Sequence, residues 1–397
     1  MTTLAARELT RPTRWLGLGR SADPDARTAG VLAATEALDA GEGAKFLLVF
    51  SSPSYDLQEL TAGVAAAADG LPFVGCSTSG EISTSGPGDN TVIVLCLGGP
   101  GFEVAVASTT DASDDLRRAG ARAAECMERV GDKGHRVLLL LTDGLAGDQQ
   151  EIVRGAYGVV GAEVPLVGGC AGDNLEMKRT FVFHGEHVMD NAVVAVALTS
   201  DASLGIGVSH GWRPVGSPML VSHSSGTRVL SLDDEPALDV YLRVLNAPAE
   251  AHTDQAAFTH FAQTHPLGIS RRSGEEVRFV ADADFADRSL GCIAPVPQGG
   301  LAWIMEGDIQ SVLAATDEAC ASALAQLAGL PPLGFVAFDC IARRGVLGSE
   351  GIKREVDRIS QQAGGAPVAG FYTYGEIART RGTAGFHNQT LVVLALG

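Results

Sequence analysis

The chain has 397 residues, with 29 lysines and arginines against 47 aspartates and glutamates, giving a formal charge of −18. A negative field of that size opposes nucleic acid or an anionic membrane surface as a general partner. With 46% hydrophobic and 19% charged residues and 49 glycines, the composition excludes a disordered chain and fits a two-domain α/β protein rich in tight strand-to-helix turns.

The opening residues, MTTLAARELTRPTRW, carry charges where a secretory leader needs an apolar core, and no apolar run approaches the ~20 residues of a membrane span. A cytoplasmic location is therefore expected. Trp15 to Gly19 reads as a first strand, and Ser21, Asp23 and Pro24 offer a helix start that runs towards Gly41. A strand at Phe46–Phe50 and an alanine-rich helix over about Asp56–Asp69 lead into PFVGCSTSGEI, Pro72–Ile82. TVIVLCL from Thr91 and FEVAVAS from Phe102 then read as a hairpin joined by GGPG at Gly98–Gly101.

A second pass follows with a helix over Ser113–Val130, a strand at Val137–Leu141, a helix over Asp148–Val160, and PLVGGCAGDN at Pro165–Asn174. The strand Ala192–Leu198 and the alternating LGIGVSHGW, Leu204–Trp212, complete it. This order predicts an N-terminal domain over 1–212 that is internally duplicated. A C-terminal domain is expected over 213–397, in which residues 213–300 break the rhythm as an irregular α+β segment: Pro214, Gly216 and Pro218 read as a linker, Ser225 and Gly226 as a hairpin tip, and Glu235–Leu245 as a helix. The rhythm is expected to resume over 301–397, from the strand LAWIMEGD at Leu301. Helices near Thr316–Ala328 and Ser349–Gln362, PVAGFYTYGEI at Pro367–Ile377 and a last strand from Thr390 follow. The fold class is α/β: two domains built from strand–helix–strand–helix–glycine loop–strand units, in mixed sheets with parallel crossovers and antiparallel additions.

Three glycine-bounded turns thus recur, each at the exit of a buried strand and each followed by an acid, Glu81, Asp173 or Glu376. Such turns present hydroxyls, amides and carboxylates where open α/β sheets bind ligands. Seven cysteines without a CxxC pair read as reduced thiols rather than a disulfide framework. Cys76 and Cys170 occupy neighbouring slots in two loops, but no histidine is adjacent to activate either. The third copy has Tyr372 and Tyr374 instead, which suits aromatic walls with polar ends. His184 and His187 form an HxxH without a carboxylate partner, and His387 in GFHNQT lies between the third loop and its strand.

VGCSTSGEI, GGCAGDN, HGWRPVG at His210, LDDEPALDVYLRVL at Leu232, PLGI at Pro266 and GFYTYGEIA with FHNQT together resemble the FIST family, with its N-terminal and C-terminal domain pair. The resemblance runs from about Thr28 onward. It implies a stand-alone intracellular sensory protein that binds a small polar ligand, an amino acid or related metabolite, and signals to a separate partner protein. Haem, as in members that sense nitric oxide, is a further possible cofactor, with His387 as its first candidate ligand. No other cofactor, no metal, no membrane and no nucleic acid is expected. The site residues carried over by position are Cys76, Ser77, Thr78, Ser79, Glu81, Cys170, Asp173, Asn174, Tyr372, Tyr374, Glu376, His387 and Asn388. In this reading Glu81 and Glu376 pair with an ammonium group and loop amides hold a carboxylate. The chain is expected to be a binding protein; an enzyme using Cys76 as nucleophile is the alternative.

Overall fold

The computed structural model describes residues 14–271, 274–380 and 385–397. The elements run β1 (Trp15–Ser21), α1 (Ala26–Leu38), β2 (Ala44–Ser51), α2 (Leu57–Ala68), β3 (Phe73–Ser77), β4 (Glu81–Ser83), β5 (Gly86–Gly88) and β6 (Val92–Gly98). Next come β7 (Phe102–Thr109), α3 (Leu116–Ala124), β8 (His135–Thr142), α4 (Gln149–Val160), β9 (Leu166–Cys170), β10 (Val182–His184), β11 (His187–Met189) and β12 (Val193–Ser200). After β13 (Leu204–Ser209) the chain makes β14 (Arg213–Ser225), β15 (Arg228–Leu232), β16 (Glu235–Pro236), α5 (Ala237–Val244), α6 (Gln255–Ala262), β17 (Leu267–Arg271), β18 (Gly274–Arg278), β19 (Val280–Asp284), β20 (Ser289–Cys292) and β21 (Leu301–Glu306). It closes with α7 (Ile309–Ala325), β22 (Gly334–Cys340), α8 (Ile341–Gln362), β23 (Val368–Thr373), β24 (Glu376–Arg379), β25 (Phe386–His387) and β26 (Leu391–Leu396).

Aspartate starts most of the helices. Asp25, Asp56, Asp148, Asp254 and Asp308 each accept a bond from a backbone N–H of the first turn, and Ser311 returns the bond at Asp308 to make a capping box. The first helix accordingly begins after Asp25 rather than at Ser21.

Among the described residues, three six-stranded sheets share one plan: β1-β6-β2-β3-β10-β11, β7-β12-β8-β9-β24-β25 and β13-β26-β22-β23-β4-β5. Each has one parallel pair, β2/β3, β8/β9 or β22/β23, made by a helical crossover, and its other pairs are antiparallel. Both faces of the sheets are buried. In β2, Phe46, Leu48 and Phe50 face a common core between the sheets, while Leu47 and Val49 face α1 and α2. Leu139 and Leu141 against Leu138 and Leu140 repeat this in β8, and Val336 and Phe338 against Phe335 and Ala337 repeat it in β22. This alternation explains why the strands read as unbroken apolar runs; each fully buried Leu or Phe is worth about 1.5–3 kcal/mol. Side chains fill the shared axis, where Phe50, Phe338 and Phe371 pack with ring centroids 4.7–6.5 Å apart.

The expected hairpin of β6 and β7 is absent, and β12 does not pair with β13 either. β6 is flanked by β1 and β2, and β12 by β7 and β8, so neither has an edge left for the strand that follows it. Gly98–Gly101 therefore leads from one sheet to another, and β13 pairs with β26 instead of completing the second pass. The strand expected to resume the rhythm, β21, pairs with β14 and β17. Residues from β14 to β21 form a separate eight-stranded antiparallel sheet with its own core, inserted between β13 and α7.

Candidate functional site

Each glycine loop carries the chain from its own sheet to the next. β4 pairs with β23, β24 with β9, and β10 with β3, so the sheets are tied in a closed ring. The loops must therefore meet, and their backbones bond directly. Ser79 N–H donates to Tyr372 O at 3.0 Å and Tyr372 N–H to Gly80 O at 2.8 Å. Cys170 N–H donates to Gly375 O at 2.9 Å, and the Ser77 hydroxyl donates to Gly172 O at 2.8 Å. Gly80 holds φ 113°, and a Cβ there would lie 2.1 Å from Arg344 Nη1, so this turn requires glycine.

The acids after the first and third loops turn inward. Glu81 accepts from the Thr78 hydroxyl at 2.5 Å and from the Thr91 hydroxyl and N–H at 2.6 and 3.2 Å. Glu376 accepts from the Thr373 hydroxyl at 2.6 Å and from the Thr390 hydroxyl and N–H at 2.8 and 3.1 Å. Both are fully enclosed. Burial pushes each carboxyl up to about 7, against the downward pull of the threonine donors. They brace the loops against the last strand of their own sheet, leaving no face for a ligand's ammonium group. Asp173 is used differently. Burial alone would raise it, but the Tyr374 hydroxyl and the N–H groups of Arg179, Lys178 and Met177 hold it below its ordinary range.

A crevice opens where the loops meet the inserted sheet and the start of α8. Its outer part, about 540 Å³, is bordered by Ser79, Asp89, Asn174 and Arg344 and by Gly348, where α8 kinks at φ 62°. Arg344 donates to Ser79 O and to both Asp89 carboxylate oxygens at 2.7 Å, and lies over the Tyr372 ring at 5.0 Å. The inner part, about 120 Å³, is lined by Leu175, Met177, Phe279, Ile293, Ile341, Tyr374 and Asn388, among others. Leu175, Ile341 and Gly345 border both. Asn388 is 1% exposed, and within the described residues neither its Oδ1 nor its Nδ2 has a hydrogen-bond partner. A buried amide left unpaired in this way costs about 1–3 kcal/mol.

Of the residues picked from sequence, the crevice gathers Ser79, Asn174, Tyr374 and Asn388. Ser77 and Thr78 are buried in loop contacts, and Tyr372 is buried under Arg344. Cys76 lies in the central core, its thiol raised well above the ordinary value by burial; Cys170 accepts from Thr142, and burial pushes it up to about 12. His387 is half-buried, with Nε2 bonded to Ala378 O at 2.9 Å, and burial lowers its pKa. It borders neither part of the crevice, so the first candidate haem ligand does not line that space. His184 bonds the Ser108 hydroxyl, and among the described residues no three His, Cys, Asp or Glu side chains are grouped to hold a metal ion. Sequence reasoning missed Arg344, Phe279, Ile293 and Gln263.

By architecture this is an α/β protein of three strand-exchanged sheets carrying an inserted antiparallel domain. It belongs to the FIST family: the FIST N domain matches residues 45–235 and the FIST C domain residues 237–379. An uncharacterized protein of Mycobacterium tuberculosis is 25% identical over 388 residues, spanning 94% of this chain and 97% of its own length. An uncharacterized protein of Mycobacterium bovis is 24% identical over 393 residues with the same coverage. A crystal structure of cyanuric acid hydrolase from A. caulinodans matches with a TM-score of 0.27 and 11% identity, over 47% of this chain and 71% of that one, a likeness too slight to bear on fold or function. No helix among the described residues is long and apolar enough to cross a membrane.

Proposed function

We propose that this chain is a sensory protein that binds a small ligand in the crevice between the glycine loops, α8 and the inserted sheet, and signals through a separate partner protein. The observation that carries the reading is Asn388, a buried side chain lining the inner crevice with a donor and an acceptor both unpaired. Family membership supports the sensory role. A ligand there touches α8 on one side and Phe279 and Ile293 of the inserted sheet on the other, so occupancy changes how these two parts sit against each other. No catalytic step belongs to the proposal: the thiol put forward as a nucleophile, Cys76, is enclosed and its burial favours the unreactive protonated form.

The test is a thermal-shift screen of amino acids and small metabolites against the wild type and Asn388→Ala. At least one compound is expected to raise the wild-type melting temperature and leave the variant unmoved. Equal shifts in both proteins, or none in either, would count against the crevice as the ligand site.

A further inference from the structure

We propose that the inner crevice takes a neutral molecule of about single-ring size that presents an amide edge, one N–H donor beside one carbonyl acceptor. This rests on the reading of the crevice as the ligand site and departs from the expectation of an amino acid.

The lining of the inner crevice contains no charged side chain, and its walls are Leu175, Met177, Phe279, Ile293 and Ile341. Two charged groups close to it in the chain are already engaged. Asp173 is held by the Tyr374 hydroxyl and three backbone N–H groups, and Arg344 by Asp89 and Ser79 O. Cys340 stays a neutral thiol because burial raises it well above its ordinary value. A zwitterion entering this space would give up the hydration of two charges and meet no countercharge in return.

The polar requirement of the pocket is specific. The Tyr374 hydroxyl is spent, donating to Asp173 and accepting from Leu175 N–H at 2.7 Å. Two side-chain amides remain: Gln263, half-buried, and Asn388, whose C=O and N–H₂ lie side by side, enclosed and unpaired, so that a ligand meets them only where the lining yields. One group satisfies that C=O and N–H₂ at once: the matching edge of a primary carboxamide, a lactam or a cyclic imide. The space agrees, since about 120 Å³ is close to the roughly 150 Å³ of an apolar cavity that accepts benzene. The outer crevice, sharing Leu175, Ile341 and Gly345 with it, is the way in.

The experiment uses the full chain and saturation-transfer NMR titrations with 2-pyrrolidone, succinimide and butyramide. Proline and succinate serve as charged counterparts, and cyclopentanone as a ring lacking the donor. The amide probes are expected to bind at least about tenfold more tightly than the charged compounds or cyclopentanone, the worth of a buried amide pair. Asn388→Leu and Asn388→Asp, both checked for native circular dichroism, are expected to lose that preference. Amide binding unchanged in both variants, or no response from any amide probe at millimolar concentration, overturns the proposal. Proline or succinate binding more tightly, and only when Asn388 is present, overturns the ligand class and leaves the crevice standing as the site.

Discussion

Glu81 accepts from both the hydroxyl and the backbone N–H of Thr91, at 2.6 and 3.2 Å, and Glu376 holds Thr390 in the same way at 2.8 and 3.1 Å. Each carboxyl ties a glycine loop to the head of the last strand of its own sheet. Burial brings both to about 7 in the folded state, against 4.5 when exposed. Between those values the folded chain holds protons that the unfolded chain has released. The stabilisation is thus fully present below 4.5 and is lost as the pH rises through 7. Each group contributes about 3 kcal/mol across that window. Melting temperatures measured between about pH 5 and 8 are expected to fall less steeply in the Glu81→Gln/Glu376→Gln variant than in the wild type. Parallel curves would refute the assignment.

Under the crevice, Arg343 is completely buried and bonds Asp339 at 2.7 Å and Glu355 at 2.5 Å, with Thr316 at 3.0 Å. Two carboxyls share one guanidinium, and burial with the neighbouring Glu355 drives Asp339 well above its ordinary range. Arg343→Met strands the remaining charge and is expected to cost about 3–5 kcal/mol, read as a lower urea midpoint. Asp339→Asn keeps the shape of the side chain while leaving Glu355 to pair with Arg343, and is expected to cost far less. Equal losses in the two variants would refute this.

The strands, most helix starts and the three glycine loops were legible because local chemistry dictates them. Phe46–Phe50 is an apolar run with both faces covered, and Asp56 and Asp148 cap where a short acid must. Sheet pairing was not legible, because the partner of β7 or β13 depends on which distant edges are free. The inward turn of Glu81 and Glu376 was hidden for a similar reason: a carboxylate at a glycine turn reads alike whether it faces a cavity or a threonine 10 or 14 residues on. The first turns of α8 were missed because Arg343, Arg344 and Gly345 look solvated, although Arg343 is buried and Arg344 borders the crevice. Phe279 and Ile293 reach the crevice from the inserted sheet and carry no periodic signal of doing so.

Arg344 links α8 to the first glycine loop through Asp89 and Ser79 O. Asp89 is 60% exposed, so Arg344→Ala is expected to change stability by no more than about 1 kcal/mol. The outer crevice nonetheless loses one wall. Hydrogen exchange of the backbone amides of Ser79 and Gly80 is expected to quicken in the variant, and unchanged protection there would show that the clamp holds nothing in place.

All seven cysteines are buried, and burial pushes each thiol up. Alkylation of the native protein at neutral pH is expected to be slow at every site and to become complete only in denaturant. Rapid, selective modification of Cys76 in the native state would reopen a thiol chemistry at the first loop.

Asn388 separates stability from function. No group of the described residues pairs with its amide, so Asn388→Leu, close in volume and free of polar atoms, is expected to remove a penalty of about 1–3 kcal/mol. The variant is expected to melt at a higher temperature than the wild type without ligand and to gain nothing when ligand is added. A residue kept only for packing would show the opposite, a lower melting temperature and intact binding. The comparison needs two thermal scans per protein, with and without a compound that stabilises the wild type.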